Sequence, residues 1–160
     1  MTASRSDAAR LERYWDRVAA GTAGEHRYAE LLGLHTFDTP GLVRKVREGL
    51  SFASYERLLK AMALTNDAAS ELLQIPARTL SRRREEGRLH ADESDRLLRV
   101  ARLFARVLEL CEGDEDAARA WLISPAEGLG RATPLEYAST EVGAREVEAL
   151  IGRIEHGIPS

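Results

Sequence analysis

One stretch constrains this chain more than any other: Asp92–Glu112, DESDRLLRVARLFARVLELCE. Leu97, Ala101, Phe104, Leu108 and Cys111 recur at spacings of four and three, the period of a helix. Leu98, Val100, Leu103, Val107 and Leu110 widen that stripe to more than half of the helix surface. A helix apolar over so much of its circumference has to be covered on two sides. It is either a central strut between two helical modules or part of a dimer interface, and the strut is the favoured reading.

The rest of the chain reads the same way. Only five prolines occur, and no short run shows the β-branched alternation of a strand. Helices are expected near 7–19 (with Leu11, Tyr14, Trp15 and Val18 on one face), 25–33, ended by Gly33, and 41–49, 54–63, 66–73 and 77–86. The long helix over 92–112 follows, then 115–123, 134–138 and 141–156. His35–Pro40 is a linker. The fold class is all-α, in three parts: a helical extension over 1–40, a helix-turn-helix domain over 41–90, and the long helix with a C-terminal module over 91–160. In the last helix Val147, Leu150, Ile151 and Ile154 point inward, and Gly157 is placed as its C′ residue.

Composition narrows the function. An apolar fraction of 44% beside 31% charged residues is that of a globular chain. No run of about 18 apolar residues is present to span a bilayer, and the N-terminus lacks the apolar core of a signal peptide. The single cysteine, Cys111, lies on an apolar helix face and reads as a buried thiol. These features together suggest a cytoplasmic protein. The net charge of −3 is unevenly spread. Residues 41–106 carry 14 basic and 9 acidic groups, whereas residues 107–160 carry 4 and 11. The middle suits a polyanion and the end would be repelled by one.

The basic middle contains LTNDAASELLQIPARTLSRRREEGRL, Leu64–Leu89. Thr65 or Asn66 can cap a short helix ending at Leu73. Ala69 supplies the small residue that lets a second helix cross closely, Gln74 and Ile75 form the turn, and Ile75 plugs the gap. Pro76, with its φ preset, suits the start of the next helix. With Leu80 turned inward, Arg78 and Arg82 lie nearly opposite it, and Thr79 and Arg83 line one flank. The second helix of such a motif presents its N-terminal residues to the major groove. Arginine there can make bidentate contacts to guanine. Arg78, Thr79 and Arg82 are therefore expected near bases, and Arg83, Arg84 and Arg88 at phosphates, which fix register without reading sequence. The competing reading is a solvated face laced by Arg82–Glu86 pairs.

The C-terminal part begins with AARAWLISP, Ala117–Pro125. From about Val43 onward the chain resembles the Xre/MbcA/ParS antitoxins. The resemblance rests on REGL (Arg47–Leu50), RTLSRR (Arg78–Arg83), DESDRLLRVARL (Asp92–Leu103), Ala120–Pro125, TPLEY (Thr133–Tyr137), TEVGAREV (Thr140–Val147) and RIEHGI (Arg153–Ile158), in order over about three quarters of the sequence. It implies an antitoxin whose partner is most often a RES-domain, NAD-consuming toxin, with the end of the chain approaching that enzyme's NAD pocket. It also implies a complex that represses its own operon. The toxin-binding residues it points to are Tyr137, Glu141, Arg145, Glu148, Arg153, Glu155, His156, Gly157, Ile158, Pro159 and Ser160. Two departures stand out: Gln74 where the family often has glycine, and Pro159 where an aromatic is frequent.

The residues of this module also read on their own terms. Thr133-Pro134 starts a helix at its cap and first position, with Glu136 completing a capping box. Thr140 starts the next, and Gly143 permits close approach of another backbone. A proline-stiffened tail with one apolar anchor, Ile158, loses little entropy on entering a cleft. The acidic face of Glu141, Glu146, Glu148 and Glu155 would complement a basic pocket built for a dinucleotide's phosphates. Trp121 and Leu122 are either core or a partner's anchor.

Nothing points to catalysis, a metal or a cofactor. His26, His35 and His90 lack partners at ligand spacing, and no Gly-rich phosphate loop or nucleophile elbow occurs. His156 suits carbonyl capping at a helix end, and His90 begins the long helix. The expected partners are a cognate toxin and operator DNA. A homodimer would read a palindromic site within a larger toxin–antitoxin complex, with no membrane involved. The alternative is a stand-alone helix-turn-helix repressor whose C-terminal module only dimerises.

Overall fold

The computed structural model describes Glu12, Arg13, Asp16 and residues 26–159. Glu12, Arg13 and Asp16 are helical. The apolar face expected of the first helix (Leu11, Tyr14, Trp15, Val18) and Ser160 lie outside the described residues. Among the described residues no strand forms; one isolated antiparallel bridge joins Ser51 to Arg88. A 3-10 turn (Arg27–Leu32) comes first. It is followed by α1 (Thr39–Glu48), α2 (Phe52–Met62), α3 (Asn66–Leu73), α4 (Ala77–Glu86), α5 (Ala91–Leu110) and α6 (Glu115–Leu122). A second 3-10 turn (Glu127–Leu129), absent from the sequence reading, precedes α7 (Pro134–Tyr137) and α8 (Glu141–Glu155).

Six of the eight helix starts among the described residues share a chemical cause. Asp38, Ser51, Thr65, Asp114, Thr133 and Thr140 all stand at N-caps in extended backbone, and each side chain accepts an N–H from the first turn. Glu136 also accepts the Thr133 N–H at 2.7 Å, completing the expected capping box. That bond and the Thr133 hydroxyl hold the Glu136 carboxyl below its ordinary range. Helix α5 stops at Leu110, short of the expected 112, because Glu112 and Gly113 both take left-handed backbone there. Cys111 is consequently half-buried in the turn, and burial, with Asp114 adding, pushes its thiol up, away from reactivity.

The chain divides into two compact units, one ending at Arg102 and the other beginning at Leu103, so the division falls inside α5 and not at the expected 90/91 boundary. In the first unit, the 27–32 turn packs on α2 and ends at Gly33. Leu50, Phe52, Tyr55, Leu58, Leu72, Leu73, Ile75, Leu89, Leu97 and Val100 are buried. Each of these aliphatic side chains, and Phe52, contributes about 1.5–3 kcal/mol by leaving water. Arg96 on α5 donates to the Leu73 carbonyl at 2.8 Å, closing the C-terminal end of α3.

In the second unit, α7 packs against α6 and α8, and α8 also meets the 127–129 turn. Leu103, Phe104, Val107, Leu108, Ala118, Leu122, Leu129, Val147, Leu150 and Ile151 are buried. Gly143 carries the closest approach: a Cβ there would collide with the Tyr137 carbonyl oxygen. That is the backbone contact the sequence assigned to it.

Candidate functional site

Helices α3 and α4 form the helix-turn-helix and pack directly on each other. Ala69 is fully buried and Ile75 nearly so, as crossing partner and plug. Gln74 takes the left-handed conformation at φ 53°, the geometry for which glycine is the usual residue. Its side chain donates to the Glu71 carbonyl at 2.7 Å. Ser70 donates its hydroxyl to the Ile75 carbonyl at 2.6 Å, tying the turn to α3. Pro76 occupies the N-cap of α4, leaving that helix start without a side-chain cap.

Of the ten residues of α4, only Leu80 and Arg83 are buried. Arg78 is exposed, Thr79 is half-buried, and the Arg82 side chain is 63% exposed, with Glu86 at a loose 4.0 Å. Arg84 is exposed, its guanidinium 5.3 Å above the Phe52 ring and 4.0 Å from Glu56. Arg88 donates from Nη1 to the carbonyls of Glu48 and Gly49, both at 3.0 Å, and so closes the C-terminal end of α1.

Arg83 corrects the expectation. It was assigned to phosphates, yet it is 4% exposed. Its Nε donates to Glu93 at 2.7 Å and its Nη2 donates to the other Glu93 oxygen at 2.9 Å. Glu86 at 3.2 Å and His90 Nδ1 at 3.1 Å complete its surroundings. The physical reason is the helix period: three residues beyond Leu80 lies only about 60° around the cylinder. The Glu93 hydrogen bonds raise the Arg83 pKa further. For Glu93, burial pushes upward, but the bonds from Arg83 and the His90 N–H outweigh it and hold the carboxyl below its ordinary value. The His90 N–H bond to Glu93, 2.8 Å, and the Ser94 N–H bond to the His90 carbonyl, 2.8 Å, put His90 immediately before the first residue of α5, Ala91.

The C-terminal module gathers the other candidates. Tyr137 is half-buried at the end of α7. Arg145 pairs with Glu141 at 2.9 Å, which keeps its guanidinium charged, and Arg153 pairs with Glu146 at 3.2 Å. Glu148 is half-buried on α8. Glu155 is committed inside the module, to Arg106 of α5 at 2.8 Å. His156 contacts the Gly152 carbonyl through Nδ1 at 2.7 Å, the capping role that its position suggested. Gly157, at φ 65°, ends the helix: its N–H reaches the Ile154 carbonyl and the Ile158 N–H reaches that of Arg153. Beyond this lock Ile158 is 54% exposed and Pro159 is exposed.

Two apolar positions depart from expectation. Ile154, read as inward, is 41% exposed, because it lies on the last turn of α8, past the buried Leu150 and Ile151. Val142, which the sequence reading passed over, is 81% exposed. Its position, five residues before Val147, places it well off the inward stripe and would have identified it. Ile123, at the end of α6, is also exposed. Among the described residues no cluster of metal-ligating side chains occurs, and no helix is long and apolar enough to cross a membrane.

A helix-turn-helix with exposed arginines, joined to a second helical unit that displays unburied apolar residues, defines a DNA-binding protein with a separate protein-binding module. Comparison with known proteins makes that specific. Residues 41–102 match the antitoxin Xre-like helix-turn-helix domain, and residues 105–157 match the antitoxin Xre/MbcA/ParS C-terminal toxin-binding domain. The antitoxin Xre of Photorhabdus laumondii is 35% identical over 130 residues, 81% of this chain and 88% of its own length. That of Yersinia enterocolitica is 44% identical over 85 residues, 52% of this chain and 57% of its own. That of Pseudomonas putida is 38% identical over 84 residues, 52% of each. This chain belongs to the Xre family of antitoxins, DNA-binding members of type II toxin–antitoxin pairs, and is not an enzyme.

Proposed function

We propose that this antitoxin neutralises a RES-domain, NAD-consuming toxin by covering the toxin's active site with its C-terminal module. The observation that carries this reading is the end of α8. The glycine lock at Gly157 fixes where the helix stops and leaves Ile158 and Pro159 projecting into solvent. A short anchor on a fixed helix end enters a cleft with little loss of entropy. Arg153 and His156 flank that insertion on the last turn of α8, Tyr137, Glu141, Arg145 and Glu148 meet the toxin farther back along the module, and Glu155, already paired with Arg106, keeps the helix end in place. The acidic residues complement a pocket that holds a dinucleotide's phosphates.

The same molecule represses its own operon. Arg78, Thr79 and Arg82 read bases, and Arg84 and Arg88 approach phosphates. Two copies meet a palindromic operator. The direct test is NAD turnover by the co-encoded enzyme with increasing antitoxin. Inhibition competitive with NAD supports active-site coverage, and inhibition independent of NAD concentration refutes it.

A further inference from the structure

We infer that Arg83 and Glu93 are positioning residues for DNA recognition: the buried fork between them sets the rotation of α4 about its own axis. The inference rests on α4 being the reading helix. Helix α4 is ten residues long, begins without a side-chain cap, and buries only Leu80 and Arg83. Leu80 is an apolar anchor and resists rotation weakly, because packing of one branched side chain is non-directional. The Arg83 fork is directional. Two parallel N–H···O bonds at 2.7 and 2.9 Å fix guanidinium and carboxylate in one plane. Glu93 is itself held by the His90 N–H at 2.8 Å, so the fork is referenced to the first turn of α5.

Magnitudes show why this matters for reading. On a helix about 10–12 Å across, a rotation of about 20° moves an outer atom by about 2 Å. Bidentate contacts from Arg78 or Arg82 to a base edge do not survive such a shift, since hydrogen bonds weaken steeply outside a few tenths of an ångström. Contacts to phosphates, carried by long and mobile side chains, do survive it. The pair should therefore govern the ratio of operator to non-specific affinity more than non-specific affinity itself. Stability alone does not explain the pair: a buried ion pair replaced by apolar residues of similar volume is often no less stable.

The test uses the full-length chain with the substitutions Arg83→Met and Glu93→Leu combined. Helix content and thermal unfolding report the fold; titrations with operator and with unrelated duplex over a series of salt concentrations report the function. The expected result is a retained fold and a drop of about tenfold or more in the operator-to-non-specific ratio. The salt dependence of non-specific binding should be unchanged, because Arg83 touches no phosphate. An unchanged ratio in the folded double variant overturns the inference. So does a salt slope lower by about one, which would place Arg83 on a phosphate. Should the double variant not fold, Arg83→Lys decides instead: it keeps the charge and loses the fork, and its ratio should fall by about fivefold or more. A Lys variant with the wild-type ratio rejects the idea. Arg78→Ala is measured alongside. If that variant keeps full operator affinity, the assignment of α4 as reading helix has failed, which is a separate outcome from failure of the positioning role.

Discussion

The two units of this antitoxin offer their partners opposite kinds of surface. In the unit ending at Arg102, α4 buries two of its ten residues and shows Arg78, Arg82 and Arg84 to solvent. In the unit beginning at Leu103, α8 buries five of its fifteen residues, and the large apolar side chains Val142, Ile154 and Ile158 stand exposed, as does Ile123 just past the end of α6. Among the described residues, the first unit exposes only Val43 of that kind. The contrast suits the partners proposed for each unit. Phosphates are gripped by charge at a distance, and a weakly held reading helix is tolerable if something sets its orientation. A protein cleft is gripped by apolar anchors, which have to be presented from a well-packed helix.

The comparison extends to the ion pairs, and its largest consequence is there. Arg83→Ala leaves Glu93 buried without its partner and should destabilise the first unit by about 3–5 kcal/mol in denaturant titration. Arg106→Ala, against the partly solvated Glu155, should cost only about 0–1 kcal/mol. Similar losses at both sites would erase the distinction between a buried fork and a surface tie. Next in size, Arg78→Ala should cost about 1–3 kcal/mol for operator DNA at fixed salt, with toxin inhibition unchanged. Loss of both activities would mean that the two units do not act separately.

Acid should sharpen the contrast further. Glu93 is held below its ordinary value of 4.5 by its bonds from Arg83 and the His90 backbone N–H, which outweigh burial. Its contribution is complete above that value and is lost as pH falls through the lower folded value. Glu93→Gln should therefore flatten the fall in stability below about pH 4.5, measured by thermal unfolding across pH. A Gln variant that falls as steeply as the parent would remove the ion pair from the acid response. The smallest effect is at the turn: Gln74→Gly relieves left-handed strain but loses the side-chain bond to Glu71. A gain under about 1 kcal/mol is expected, and a net loss would show that the side-chain bond dominates.

What could be read from the sequence divides along physical lines. Local devices were legible: the Thr133–Glu136 capping box, the Gly157 helix end, the close approach at Gly143 and the Ile75 plug all depend on neighbours a few residues away. The fate of Arg83 was only half legible. Its angle from Leu80 placed it on a flank with Thr79, about 60° from the buried side, but its partner is ten residues on, across a turn whose geometry the pattern does not reveal. A run of three arginines therefore read as one exposed surface. Ile154 was misplaced for a related reason, since periodicity gives a face but not where the covering elements stop. The 127–129 turn escaped because three residues carry no period.

The division of labour is tested most directly by removing Ile158–Ser160 and measuring toxin inhibition and operator binding on the same preparation. Inhibition of the toxin should weaken by about tenfold or more, as expected for losing a central anchor, while operator affinity stays at the full-length value. Equal loss of both, or full inhibition without the tail, would contradict the account.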